Sequence, residues 1–107
     1  MLGWFDTKEV DAFADSVVAD LRARFPPTGL EVQKKKDVQR VLKGVDRLVA
    51  RVEEFARNGR LNVYQKARFG NRVKWALKEA RYPEPFVEAM THELVAQLTL
   101  ASRKARG

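Results

Sequence analysis

The chain contains no cysteine and only one histidine, His92, among its 107 residues. Without thiols there is no disulfide and no thiolate metal site. One imidazole falls short of the three or four protein ligands that a zinc site takes. Long apolar runs are also missing: none approaches the roughly 18 residues needed to cross a bilayer. The apolar opening Met1-Leu2-Gly3-Trp4-Phe5 is cut off at Asp6. It lacks the basic start and the stretch of about 7 to 15 apolar residues that define a secretory signal. These absences predict a cytoplasmic protein that needs no metal or cofactor.

Signatures of catalysis are lacking too. The sequence has no G-x-x-x-x-G-K-[ST] or G-x-G-x-x-G loop to cradle phosphate, and no G-x-S-x-G turn to expose a nucleophile. Glu88 and Glu93 fall on different faces of one helix, and Glu53 and Glu54 diverge by about 100°, so neither pair sets up acid–base chemistry. The chain reads as a non-enzyme with no small-molecule substrate. An enzyme working through arginines and backbone groups alone is the lesser alternative.

What is present is apolar periodicity. Hydrophobic residues make up 45% and aromatics 9% of a chain near the usual size of one domain, so a single core over residues 1–107 is expected. Helical spacing recurs over about 6–25, 29–57, 62–82 and 85–102, predicting an all-α fold, a small four-helix bundle with antiparallel up-down-up-down topology. In the first segment Asp6 and Glu9 form a capping box, Phe5 and Val10 a hydrophobic staple, and Pro26-Pro27 the stop. In the third, Asn62 and Gln65 form a weaker box before an arc of Phe69, Val73, Ala76 and Leu77. Pro83-Glu84-Pro85 then turns the chain into a fourth helix whose core face holds Val87, Met90, Leu94 and Leu98.

The second segment is the longest. Thr28 and Glu31 open it, an apolar seam of period seven runs from Val38 to Ala56, and Asn58-Gly59 closes it. Unbroken, it would extend roughly 43 Å at about 1.5 Å per residue, with its basic start at Lys34-Lys35-Lys36 overhanging the body. A break near Asp37 that leaves the basic run as a loop is the alternative. Gly44 stands off the seam in mid-helix, a placement that costs about 1 kcal/mol relative to alanine and that the sequence does not explain.

The formal charge is +7, with a sequence pI near 10.1. Residues 1–27 hold three basic and five acidic residues, 28–61 nine and five, 62–82 six and one, and 83–107 three of each. All the excess therefore lies in the second and third segments. On the second helix Lys36, Arg40, Lys43 and Arg47 fall opposite the apolar seam. On the third, at about 100° per residue, Tyr64, Arg68, Asn71, Arg72, Trp75 and Tyr82 cluster away from its apolar arc.

Arginines interleaved with aromatics fit two kinds of partner. They contact phosphates and stack on unpaired bases, and they also dominate protein–protein hot spots. The sequence thus predicts a helical binding module with a basic–aromatic surface on helices 2 and 3, and leaves protein and nucleic acid undecided. The same stripe covering a neighbouring helix would make it structural. A self-associating structural or adaptor protein, a homo-oligomer through this stripe or the second helix's seam, is the alternative. A helix-turn-helix from the last two helices is excluded because Glu84, Glu88 and Glu93 would set acids against phosphates.

Overall fold

A computed structural model describes residues 8–27, 41, 43–44, 46–59 and 61–106. Among the described residues there are four helices and no strand: α1 (Lys8–Arg24), α2 (Asp46–Gly59), α3 (Val63–Glu79) and α4 (Glu84–Arg106). The protein is an all-α four-helix bundle. Its core forms where the predicted apolar stripes meet, with Val17, Leu21, Val52, Phe69, Leu77, Phe86 and Leu94 fully covered.

α1 and α3 end where their sequences give a reason. α1 buries Val10, Ala14, Val17, Val18 and Leu21, and stops just before Phe25 and the Pro26-Pro27 pair. Its expected cap and staple residues, Phe5 and Asp6, lie outside the described residues. At the start of α3 the Gln65 N–H donates to Asn62 Oδ1 at 2.8 Å, and the Asn62 N–H donates to Gln65 Oε1 at 3.0 Å. This is the capping box read from the sequence. At the other end Arg81 takes the left-handed conformation (φ 69), while the Tyr82 N–H donates to the Leu77 carbonyl at 3.2 Å. The chain leaves the helix as glycine-terminated helices usually do, but with an arginine in the glycine's place.

The second segment departs from the expected continuous helix over 29–57. Val41 and Lys43 are helical as expected, but the Gly44 N–H donates to the Val41 carbonyl at 2.9 Å, a turn tighter than the α-helix, and α2 is a separate helix from Asp46. A Cβ on Gly44 would lie 3.0 Å from Phe25 Cζ and 3.4 Å from the Val41 oxygen. The glycine thus admits the Phe25 ring, which ends α1, against this turn, and that close approach accounts for it. The rest of the predicted first half, with its Thr28–Glu31 box and Lys34–Lys36 run, lies outside the described residues.

Directions alternate along the chain, yet neighbours in space are not simply neighbours in sequence. α1 packs along α3, α3 along α4, and α4 along α2. The Phe13 and Phe55 rings, stacked 4.1 Å apart, bring α2 back to α1. Hydrogen bonds join Asp11 to Arg68, Asp15 to Arg72 and Phe25 to Tyr82, each pair separated by 57 positions. A constant offset means that α1 and α3 run parallel, side by side. α2 and α3 stand at opposite corners.

Two positions give stability tests. A Cβ on Gly70 would lie 2.8 Å from Val95 Cγ2 on α4, a β-branched side chain with little freedom to move. Gly70→Ala is expected to lose about 1 kcal/mol net, because overpacking outweighs the gain in helix propensity. In a Val95→Ala background the sign should reverse to a gain of about 1 kcal/mol. Urea denaturation of the four proteins in this cycle checks it, and equal effects in both backgrounds would refute the contact. Arg81→Gly should stabilise by about 1 kcal/mol, since the left-handed conformation strains only the residue with a Cβ.

Candidate interaction surface

The basic residues of α3 meet the acids of α1. Arg68 Nε and Nη2 each donate to an Asp11 carboxylate oxygen at 2.9 Å, and Arg72 repeats the arrangement with Asp15, also at 2.9 Å. Both donors and both acceptors are spaced four residues apart, so each pair stacks one turn above the last on two parallel helices. Forked contacts of this kind fix geometry as well as charge. On the other flank of α1, Asp20 accepts from Arg24 at 3.2 Å and from Arg51 of α2 at 3.4 Å, and Arg51 also donates to Ser16 Oγ at 2.8 Å. The acids of α1 thus serve as counter-ions for arginines on both sides.

The predicted site residues are therefore divided. Arg68 and Arg72 are half-exposed but hold carboxylates, so part of the stripe joins two helices. Tyr82 is a correction: it is 5% exposed, stacks on Phe86 with ring centres 4.7 Å apart, and donates its hydroxyl to the Phe25 carbonyl at 2.7 Å. The helical phase that put Tyr82 on the stripe ends at Glu79, and the left-handed turn at Arg81 swings it inward. Burial raises its phenol above the usual pKa. Lys43 and Arg47 are exposed. α2, which carries Arg47, packs along α4 rather than along α3. Lys36 and Arg40 lie outside the described residues.

What remains outward on α3 is a narrower crest. Trp75 is 55% exposed and Tyr64 51%, and Asn71 between them is exposed as well. Lys78, which the stripe had omitted, belongs here. Its Nζ lies 5.2 Å from the centre of the Trp75 ring, a cation–π contact, and 3.6 Å from Glu84 Oε1. Lys74 is exposed on the α4 side of the crest, where an open groove of about 550 Å³ runs between the helices. Tyr64, Ala67, Arg68, Gly70, Asn71, Lys74 and, from α4, Thr91 line it. The Thr91 hydroxyl oxygen is covered and has no hydrogen-bond partner among the described residues.

The signal for the α1–α3 pairing was present in the sequence as matching four-residue spacings at 11/15 and 68/72. It was missed because short connections favour antiparallel neighbours, and these two helices are parallel. Among the described residues no three His, Asp or Glu side chains are grouped to hold a metal ion, and no helix is long and apolar enough to cross a membrane. His92 is exposed on α4. Compared with protein-family models, curated proteins and solved structures, the chain matches none.

The paired carboxylates give a pH test. The Arg68 hydrogen bond holds the Asp11 carboxyl below the usual carboxylate range, aided by the charges of Arg68 and Arg72 and opposed by partial burial. A lowered folded pKa contributes stability that is complete above the unfolded value of about 3.9 and is lost as pH falls through the folded value. Asp11→Asn should therefore lower stability at pH 7 and flatten its decline in acid. Urea midpoints measured from neutral to strongly acidic pH check this, and parallel curves for the two proteins would count against it.

Proposed function

We propose that the chain is a non-enzymatic, cytoplasmic binding module, and that the outward crest of α3 receives a protein partner. The observation that carries this reading is the exposure of Trp75 and Tyr64 on a helix whose other aromatic, Phe69, is fully covered. Tryptophan and tyrosine recur at the centres of protein interfaces because they bury large surfaces at small entropic cost. The crest has that composition, with Asn71 and Lys78 set between and beside the rings.

The same geometry disfavours nucleic acid as the partner. A phosphate recognised by Arg68 or Arg72 would have to compete for the Nε and Nη2 donors already given to Asp11 and Asp15. Both carboxylates would also stand on the flank of the approaching strand and repel it. The positive charge that α3 carries in sequence is in this way partly offset by α1.

A photoreactive phenylalanine analogue placed at position 75, in the protein expressed in its native host, tests the reading. A discrete protein adduct is expected on irradiation, with none from the same analogue at the exposed Arg57 of α2. Adducts of equal yield from both positions, adducts with nucleic acid, or none from position 75 would sink it.

A further inference from the structure

We infer that Lys78 is a positioning residue for the crest: bridging Glu84 and the Trp75 ring, it sets the orientation in which the indole meets its partner. This rests on the reading of the crest as a protein-binding surface and adds which side chain presets its tryptophan. Residues three apart are neighbours on a helix, and side chains lean toward its N-terminus, so Lys78 reaches back over Trp75. Its Nζ lies 5.2 Å from the ring centre. The same ammonium lies 3.6 Å from Glu84 Oε1, at the start of α4. Arg72, the neighbour three residues before Trp75, gives its Nε and Nη2 donors to Asp15 and does not share the task.

The anchor of this bridge is the turn between α3 and α4. The Arg81 N–H donates to the Lys78 carbonyl at 3.0 Å, the Tyr82 N–H to the Leu77 carbonyl at 3.2 Å, and the Val87 N–H to the Pro83 carbonyl at 3.0 Å. Tyr82 and Phe86, which flank Glu84 in sequence, are both buried and stack on each other. The backbone that carries Glu84 is thus tied to the core, and its carboxylate holds the ammonium from a fixed base. Both side chains of the pair are partly exposed, so the pair adds little to stability, and its consequence is the direction it gives the ammonium. A cation–π contact at an exposed site favours one ring orientation by about two- to fivefold over the others. One face of the indole is taken by Lys78, and the opposite face and the rim are left to the partner. A ring already ordered loses less freedom on binding, which strengthens association without any added contact.

NMR couplings across the Trp75 χ1 bond give its rotamer populations, and a Trp4→Phe background leaves Trp75 as the one tryptophan in the chain. Lys78→Met keeps the apolar stem and removes the charge. In that variant, with helicity intact by circular dichroism, the ratio of the main rotamer to the rest should fall by about two- to fivefold. Lys78→Arg should retain the ratio, because a guanidinium also stacks on an indole, and Glu84→Gln should lower it by a smaller factor. An unchanged ratio in Lys78→Met, or an equal fall in Lys78→Arg, would overturn the inference. The link to binding is read with the photoreactive analogue at the exposed Asn71, so that Trp75 stays in place. The adduct formed in the native host should fall several-fold in Lys78→Met and recover in Lys78→Arg. Adducts undiminished in Lys78→Met would overturn the inference while leaving the crest a protein-binding surface. No adduct from position 71 or 75 would overturn both.

Discussion

The parallel register of α1 against α3 is the constraint on which the arrangement turns. Two arginine forks, one helical turn apart, grip two aspartates at the same spacing, and the Tyr82 hydroxyl ties the two helices together where both end. Partly exposed ion pairs contribute little to stability, so the stabilisation comes from apolar burial beneath them. What the forks add is selection among packings that would bury the core equally well. Sliding α1 by one residue would turn Asp11 and Asp15 by about 100° away from their arginines, and only one register satisfies both.

That register also reshapes the surface. In sequence the third segment is the most basic part of the molecule, yet in space Arg68 and Arg72 lie against the acids of the first. Of its lysines, Lys74 is exposed beside the crest, and Lys78 lies over the Trp75 ring while also pairing with Glu84. A lysine ammonium is a flexible point charge without the fixed fork of a guanidinium. The guanidinium groups make rigid, two-pronged contacts between α1 and α3, and the Lys78 ammonium makes a looser, single-point contact with Glu84.

Much of the fold was legible in the sequence because it depends on local signals. The Asn62–Gln65 box, the Pro26-Pro27 stop and the period of the apolar stripes each act within a few residues. The parallel pairing was not legible, since it joins side chains 57 positions apart and runs against the preference of short connections for antiparallel neighbours. The break at Gly44 was half legible: the glycine was out of place in a helix, but its reason, the Phe25 ring, arrives from another helix. Of the candidate site, Tyr64, Asn71 and Trp75 are where helical phase puts them. Tyr82 is not, because the phase was carried past the end of the helix that generated it.

The corner arrangement bears on how the chain folds as it is made. Among the described residues α1 packs along α3, and α2 along α4, so each half of the chain leans mainly on the other. Partners separated by 57 positions close a large loop before any contact is rewarded, which slows folding relative to a bundle of sequence neighbours. During synthesis the first half would emerge from the ribosome with its best surfaces still waiting for α3 and α4. By the same logic, the chain cut between α2 and α3 should yield two fragments that are poorly structured alone and recover the bundle when mixed.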